Sequence, residues 1–543
     1  MINQWSRFRS SLFPGAFISI LLLSFAFLLF FILFIAQDST TVIQFDPRVY
    51  SLLKFTLYQA FLSTLLSIVV GITLAWSLAH QQDFKGRGVL VALYSSSLVL
   101  PTLIIVFGLI GIFGRNGWIN QLSVYLFDHS FGSYLYGLTG ILVAHVYLNA
   151  SFASRSLLHT FESIPKEKYK LAKSLNFTIF QRFIYVEWPA LRPTLLSIAS
   201  TIFLLCFTSF AIVLVLGGSP AYNTLEVAIY EAVKLDFDIA MALKLALIQL
   251  GISTLLVVFS SNFRTNLTNL KTSSVNIPWC EPKRIKQTQM AIISLFALFF
   301  ISPLVVIIID GIGADFGRIV SEALFIKSFF TSIVLATVSS ILTVIFAVLL
   351  SDTKRNFTLK HRLEENKFSK LLNIIVSFSG NLYLAIPSLI LGLGFFLLSQ
   401  RYEAPLAVWS TIALLTANIL MSLPFALSVL SPAMQKTAQR YDKLIFSLNL
   451  SKLQRWVYCE YPYLKSSLGY VFALSFCFSL GDLGIIALFG SDDFSTLPWY
   501  LYQLMGSYRT SDAAGVALIL LAITLSVFIV LPRLFGGKFA KRN

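Results

Sequence analysis

The chain reads as an all-α integral membrane protein of about twelve transmembrane helices in two parallel six-helix halves, and three observations predict it. Hydrophobic residues fill 57% of 543 positions against 12% charged, with a mean hydropathy of +0.79, so too few polar side chains exist to cover a water-exposed surface. Apolar runs of the roughly 20 residues that cross a bilayer as a helix recur along the chain, without the alternation of a membrane β-barrel. A polar segment, "KSLNFTIFQRFIYVEWP" ending at Pro189, returns as "FSLNLSKLQRWVYCEYP" ending at Pro462, half a chain later.

Taken in order, the first span, 12 to 36, follows Arg7 and Arg9 in the manner of a signal peptide. Its apolar run exceeds the roughly 7 to 15 residues of a cleavable signal, and no small-x-small cleavage site follows, so it is read as an uncleaved helix. Spans at 53 to 79, 89 to 114, 137 to 158, 194 to 218 and 239 to 261 complete the first half. The second half holds spans at 290 to 310, 326 to 351, 371 to 399, 407 to 430, 466 to 490 and 512 to 533. Pro101 in "LPTLIIVFGLIGIFG" and Pro387 in "IPSLILGLGFFLLS" stand at matching places. Each removes a backbone hydrogen bond from the third helix of its half, which reads either as an ordinary kink or as an interruption lining a transport path.

Six spans per half give both halves one orientation, related by a pseudo-two-fold axis along the membrane normal, with both copies of the polar segment on one side. The division is residues 1–263, with a loop at about 160–192; a polar cytoplasmic linker at 264–289; and residues 290–543, with a loop at about 431–465.

A formal charge of +16 suggests a polyanionic partner until its distribution is considered. With both termini on the cytoplasmic side, most of the 41 Lys and Arg fall on that side, and the positive-inside rule accounts for them without nucleic acid. Cys206, Cys280, Cys459 and Cys477 are scattered, and His80, His129, His145, His159 and His361 form no cluster, so neither disulfide framework nor metal site is predicted. No nucleophile, paired-carboxylate or metal constellation points to an enzyme. No G-x-x-x-x-G-K-[ST] phosphate cradle occurs; "FGGKFA" lacks its first glycine and its Ser or Thr.

Each polar repeat predicts two short helices around a corner, the first over about Pro165 to Leu175 and about Thr437 to Leu448. Asn176 and Asn449 follow, a residue type that tolerates the left-handed conformation ending a helix. Thr178-x-x-Gln181 and Ser451-x-x-Gln454 then have capping-box spacing, and Pro189 and Pro462 predict the close of the second helix. Glu187 and Glu460 stand beside Arg182 and Arg455, where they would hold the loop together or meet lipid headgroups. The apolar stripes Leu171, Ala172, Leu175 and Leu444, Ile445, Leu448 have the form of a short helix that enters a partner's groove.

This spacing resembles the E-A-A-x-x-x-G-x(9)-I-x-L-P cytoplasmic loop of ABC importer permeases of type I. Lys170, Leu171 and Ala172 stand at the E-A-A positions, Asn176 at the glycine and Val186 to Pro189 at I-x-L-P; Lys443, Leu444, Ile445, Asn449 and Cys459 to Pro462 repeat them. Lysine for glutamate and asparagine for glycine are departures in both halves. The resemblance implies that Lys170, Leu171, Ala172, Leu175, Asn176, Glu187 and Pro189, with Lys443, Leu444, Ile445, Leu448, Asn449, Glu460 and Pro462, couple the chain to an ATP-binding subunit homodimer. That partner uses ATP and Mg; this chain binds no cofactor and no metal. A periplasmic substrate-binding protein is the second implied partner, and the location a bacterial inner membrane with both termini cytoplasmic.

"GRNGW", "AHVYLNASFASRSLL", "VEWPALR" and "GDLGIIALFGSDDFSTLPWYLYQLMGSYRTSDAA" extend the likeness to the thiamine permeases of that family, with the fused ferric-iron permeases as nearest rivals. Thiamine, or its phosphates, is the implied substrate. Its permanent cation would suit a carboxylate and aromatic faces, which draws attention to Asp482, opposite Ser209, and to Trp499, Tyr500 and Tyr502. The other readings are that Asp482 pairs with a neighbouring helix and that the aromatics form an interfacial belt. Asp492, Asp493 and the loop around Arg115 are expected docking contacts for the binding protein. A secondary transporter is the reading from another class, but it predicts several coupled acidic groups at mid-membrane, where Asp482 stands nearly alone.

Overall fold

The computed structural model describes residues 2–35, 46–97, 99–261, 281–364, 367–401, 405–491 and 493–536, and among these the chain is helical with no strand. Linker residues 264–280 with Cys280, Asp492, and the end of "FGGKFA" lie outside the described residues.

The first half comprises α1 (Ile2–Ile35), α2 (Pro47–His80), α3 (Arg87–Ser96), α4 (Thr102–Phe113), α5 (Trp118–Phe127) and α6 (Leu138–Glu162), followed by α7 (Lys166–Ser174), α8 (Ile179–Arg182), α9 (Trp188–Phe207), α10 (Ala211–Leu216), α11 (Leu225–Lys234) and α12 (Ile239–Ser261). The second comprises α13 (Lys283–Ile312), α14 (Phe316–Ser321), α15 (Ala323–Glu364), α16 (Lys367–Asn381), α17 (Ser388–Arg401) and α18 (Leu406–Ser447), then α19 (Lys452–Gln454), α20 (Tyr461–Leu480), α21 (Gly484–Phe489), α22 (Leu497–Gly506) and α23 (Thr510–Gly536).

Among the described residues ten helices are long and apolar enough to cross a membrane, or eleven if the pair bent by 87° between Leu384 and Ser388 is one span, against the twelve expected. The shortfall falls on α6, which has the length of a span but carries His145, Asn149, Ser151 and Ser154 buried against its neighbours. A helix enclosed by protein can be polar where a lipid-facing one cannot.

The expected breaks at Pro101 and Pro387 are present. Pro101 caps α4 after the end of α3, and Pro387 precedes α17. In both, proline stands where the missing amide would have had no helical partner.

Two expectations about the repeated segment are corrected. The helix expected over Thr437 to Leu448 is not separate, because α18 runs unbroken from Leu406 to Ser447, whereas α6 and α7 are parted at Ser163 to Pro165. Nor does the chain stop before Pro189 and Pro462. A π-helical turn, Phe183–Glu187 and Arg455–Glu460, leads directly into α9 and α20, with each proline in the first turn. The wider turn absorbs the backbone groups that proline leaves unpaired, so no stop is needed.

The first helix of each half packs on the other half: α1 against α15 and α16, and α13 against α2 and α4. Each contact is fastened by a buried tyrosine. The Tyr147 hydroxyl donates to the Phe300 carbonyl and the Tyr383 hydroxyl to the Leu22 carbonyl, both at 2.7 Å.

Candidate functional site

Local sequence builds the two polar corners, here called elbows, in the same way. Asn176 and Asn449 adopt left-handed φ of 51° and 46°, which turns the chain out of the preceding helix. Thr178 and Ser451 then accept from the backbone amides of Gln181 and Gln454, whose side chains accept from the amides of Thr178 and Ser451. Both capping boxes are complete.

Beneath each corner lies a buried arginine–glutamate pair. Arg182 Nε stands 3.1 Å from Glu187 Oε1, and Arg455 Nε stands 3.1 Å from Glu460 Oε1. Around the first pair gather Glu281, 2.6 Å from Arg182 Nη2, and His80, whose Nε2 is 3.1 Å from Glu187. Around the second gather Arg355, bonded to both Glu460 and Asp442, and Asp352, 2.7 Å from Arg455. Glu187 and Glu460 thus brace the elbows from inside. His80, Glu281, Arg355, Asp352 and Asp442 were missed in the sequence, where they stand too far from the repeat to attract notice.

The predicted apolar stripes divide between two faces. Ala172 and Ile445 are buried, while Leu171, Leu175, Leu444 and Leu448 keep between 48% and 60% of their surface exposed. Lys170, Lys443, Asn176, Asn449, Pro189 and Pro462 are exposed beside them. Both elbows lie at one end of the bundle. From Glu281 at the first elbow, α13 rises to Gly311, which packs on Leu518 at the far end; α23 returns from there to Phe535, packed on Gly469 just past the second elbow.

Between the halves lies a cavity of about 300 Å3, lined by the broken helix ends. Pro101, Ser209 and Asp482 line it, as does Ser388 beside Pro387. Three positions chosen from sequence, Pro101, Ser209 and Asp482, thus meet in one place, and a fourth, Pro387, adjoins it only through its neighbour Ser388. Gly481 and Gly484 make the approach possible: a Cβ on Gly481 would meet Pro101 at 3.0 Å, and one on Gly484 would meet the Ser388 hydroxyl at 2.6 Å. His145, Asn149 and Asn418, unremarked in the sequence, also face the cavity.

Trp499, Tyr500 and Tyr502 do not line it. Tyr500 donates its hydroxyl to Glu322, which Arg509 also grips, and Arg509 is 2.7 Å from Asp512. Trp499 covers Gly490 and stands 5.6 Å from Tyr502, ring centre to ring centre. These aromatics build the end of the molecule opposite the elbows. No group of three metal-ligating side chains occurs among the described residues.

Residues 67–269 and 363–542 match the family described as binding-protein-dependent transport system inner membrane component, one match in each half. The chain belongs to this family. Among curated relatives, the thiamine transport system permease protein ThiP of Escherichia coli (strain K12) is 36% identical over 506 residues, 92% of each chain. The protein of that name from Haemophilus influenzae is 37% identical over 481 residues, covering 88% of this chain and 87% of its own. That from Brucella abortus (strain 2308) is 35% identical over 496 residues, 91% and 89%. Membership makes this a multi-pass membrane component of a transport system, and gives the paired elbows and the cavity one common setting.

Proposed function

We propose that the chain is the permease of a thiamine importer, driven by ATP that a separate pair of identical ATPase subunits hydrolyses on its elbows. The observation that carries this reading is the duplicated, braced elbow at one end of a chain that is 35–37% identical to thiamine permeases over about nine-tenths of its length. A periplasmic binding protein delivers thiamine, or its phosphates, at the opposite end. Closure of the ATPases on ATP and Mg pushes the elbows together, the halves rock about the cavity, and access alternates between the two sides. The chain itself performs no catalysis and binds no nucleotide. It sits in the bacterial inner membrane with elbows and both termini in the cytoplasm.

Mechanically, an elbow must be stiff to act as a lever. A buried arginine–glutamate pair stiffens it, because breaking the pair strands an uncompensated charge. Reconstitution in vesicles with the binding protein, with and without the ATPase, tests the reading. Labelled thiamine uptake should require the ATPase and ATP, and persist when ion gradients are dissipated. Uptake that follows an ion gradient without the ATPase would overturn it.

A further inference from the structure

Asp482 occupies an unusual position. Its Oδ1 accepts from the Gly484 amide at 3.2 Å, which fixes the side chain, while its buried Oδ2 has no hydrogen-bond partner. Among the described residues no lysine or arginine lines the cavity that it faces. On the opposite wall His145 turns Nδ1 to the Ser63 hydroxyl at 2.8 Å and leaves a buried Nε2 without a partner. Two buried polar atoms, one from each half, are therefore unmatched at one cavity. Phe152, Phe425 and Phe478 supply its aromatic walls.

The carboxylate is not needed to make the helix break. The equivalent break between α9 and α10 carries Ser209, 273 positions earlier, and is built without an acid. A carboxylate at this depth with no counter-charge in its cavity, and with the buried Glu226 carboxyl near enough to repel it, is costly, and the repeat shows that the fold can do without it. A passing organic cation would relieve that cost and would also meet aromatic faces suited to positive charge.

We propose that the cavity is a charge-selective binding site of the permease itself, in which Asp482 Oδ2 pairs with a permanently cationic heteroaromatic ring and His145 Nε2 hydrogen-bonds the polar edge of the same molecule. Selection then occurs twice, once on the delivering protein and once at mid-membrane. A single carboxylate holds the cation without trapping it, as a conduit requires. The naming of that cation as thiamine rests on the function proposed above.

The test is equilibrium binding of tritiated thiamine to the full permease–ATPase complex in detergent, without the binding protein, beside an isostere whose charged ring nitrogen is replaced by carbon. Wild type should bind thiamine at least tenfold more tightly than the neutral isostere. Asp482→Asn should abolish that preference while still binding the isostere as wild type does, which reports an intact cavity, and Asp482→Glu should restore part of it. An unchanged preference in Asp482→Asn, or no thiamine binding by a wild-type complex that imports thiamine, overturns the inference and leaves the importer standing. A wild-type complex that binds the cation but does not import thiamine overturns the importer instead.

Discussion

At the scale of residues, the two elbow clusters differ in how far water reaches them. The side chains of Arg182, Glu187, Glu281 and His80 keep 2% or less of their surface, whereas Asp352 keeps 20%. Removing one partner from a closed ionic cluster costs about 3 to 5 kcal/mol, and less where water can replace it. Arg182→Met should therefore lower the thermal unfolding midpoint more than Arg455→Met does, as measured by intrinsic fluorescence in detergent. At the opposite end, hydrogen bonds from Arg509 and Tyr500 hold the Glu322 carboxyl below the usual carboxylate range. A group with a depressed folded pKa contributes stability above its unfolded value of about 4.3, and loses it as pH falls through the lower folded value. The partners are partly exposed, so Glu322→Gln should cost at most about 1 kcal/mol. That difference should be equal at pH 7 and pH 5 and vanish well below pH 4, which melting at the three values checks. The corners were legible because capping boxes and left-handed asparagines are local signals within a few positions. The clusters beneath them were not, since Arg182 meets Glu281 across 99 positions and Arg355 meets Glu460 across 105.

At the scale of elements, the broken helices and the exchanged first helices do different work. Gly481 lets the break before α21 rest on Pro101 of the other half, so Gly481→Ala should push the halves apart at the cavity. The expected result is at least a tenfold loss of uptake with the complex still assembled, read from transport and size-exclusion profiles side by side. The exchange of α1 and α13 hangs on Tyr147 and Tyr383. Loss of either hydroxyl removes one hydrogen bond from a carbonyl that still accepts within its own helix, at a cost of about 0.5 to 1.5 kcal/mol, and Tyr147→Phe and Tyr383→Phe should destabilise by similar amounts because the two bonds are of equal length. The prolines gave the breaks away, since a missing amide is visible in any sequence. The exchange was hidden: α1 and α13 are apolar on nearly every side, and hydrophobicity does not tell a lipid neighbour from a helix of the other half. The span expected at 137 to 158 is present as α6, and only its buried His145, Asn149, Ser151 and Ser154 keep it below the apolarity of a lipid-facing span.

At the scale of the whole molecule, the proposed function has force entering at one end and access changing in the middle. The parallel repeat was legible because two segments keep their spacing 273 positions apart. Part of the asymmetry laid over it was legible too, Asp482 standing where the first half has Ser209, whereas Glu281 bracing the first elbow appeared only in three dimensions. The central claim is that two exposed leucine faces receive the ATPase, and the most direct test compares Leu175→Asp, Leu448→Asp and the double variant. ATP-driven thiamine uptake in vesicles and co-purification of the ATPase are measured together, with the melting midpoint as the check on folding. Each single variant should lose uptake by at least tenfold and the double variant should no longer retain the ATPase, all with unchanged melting; a double variant that keeps the ATPase and imports at the wild-type rate would contradict the account.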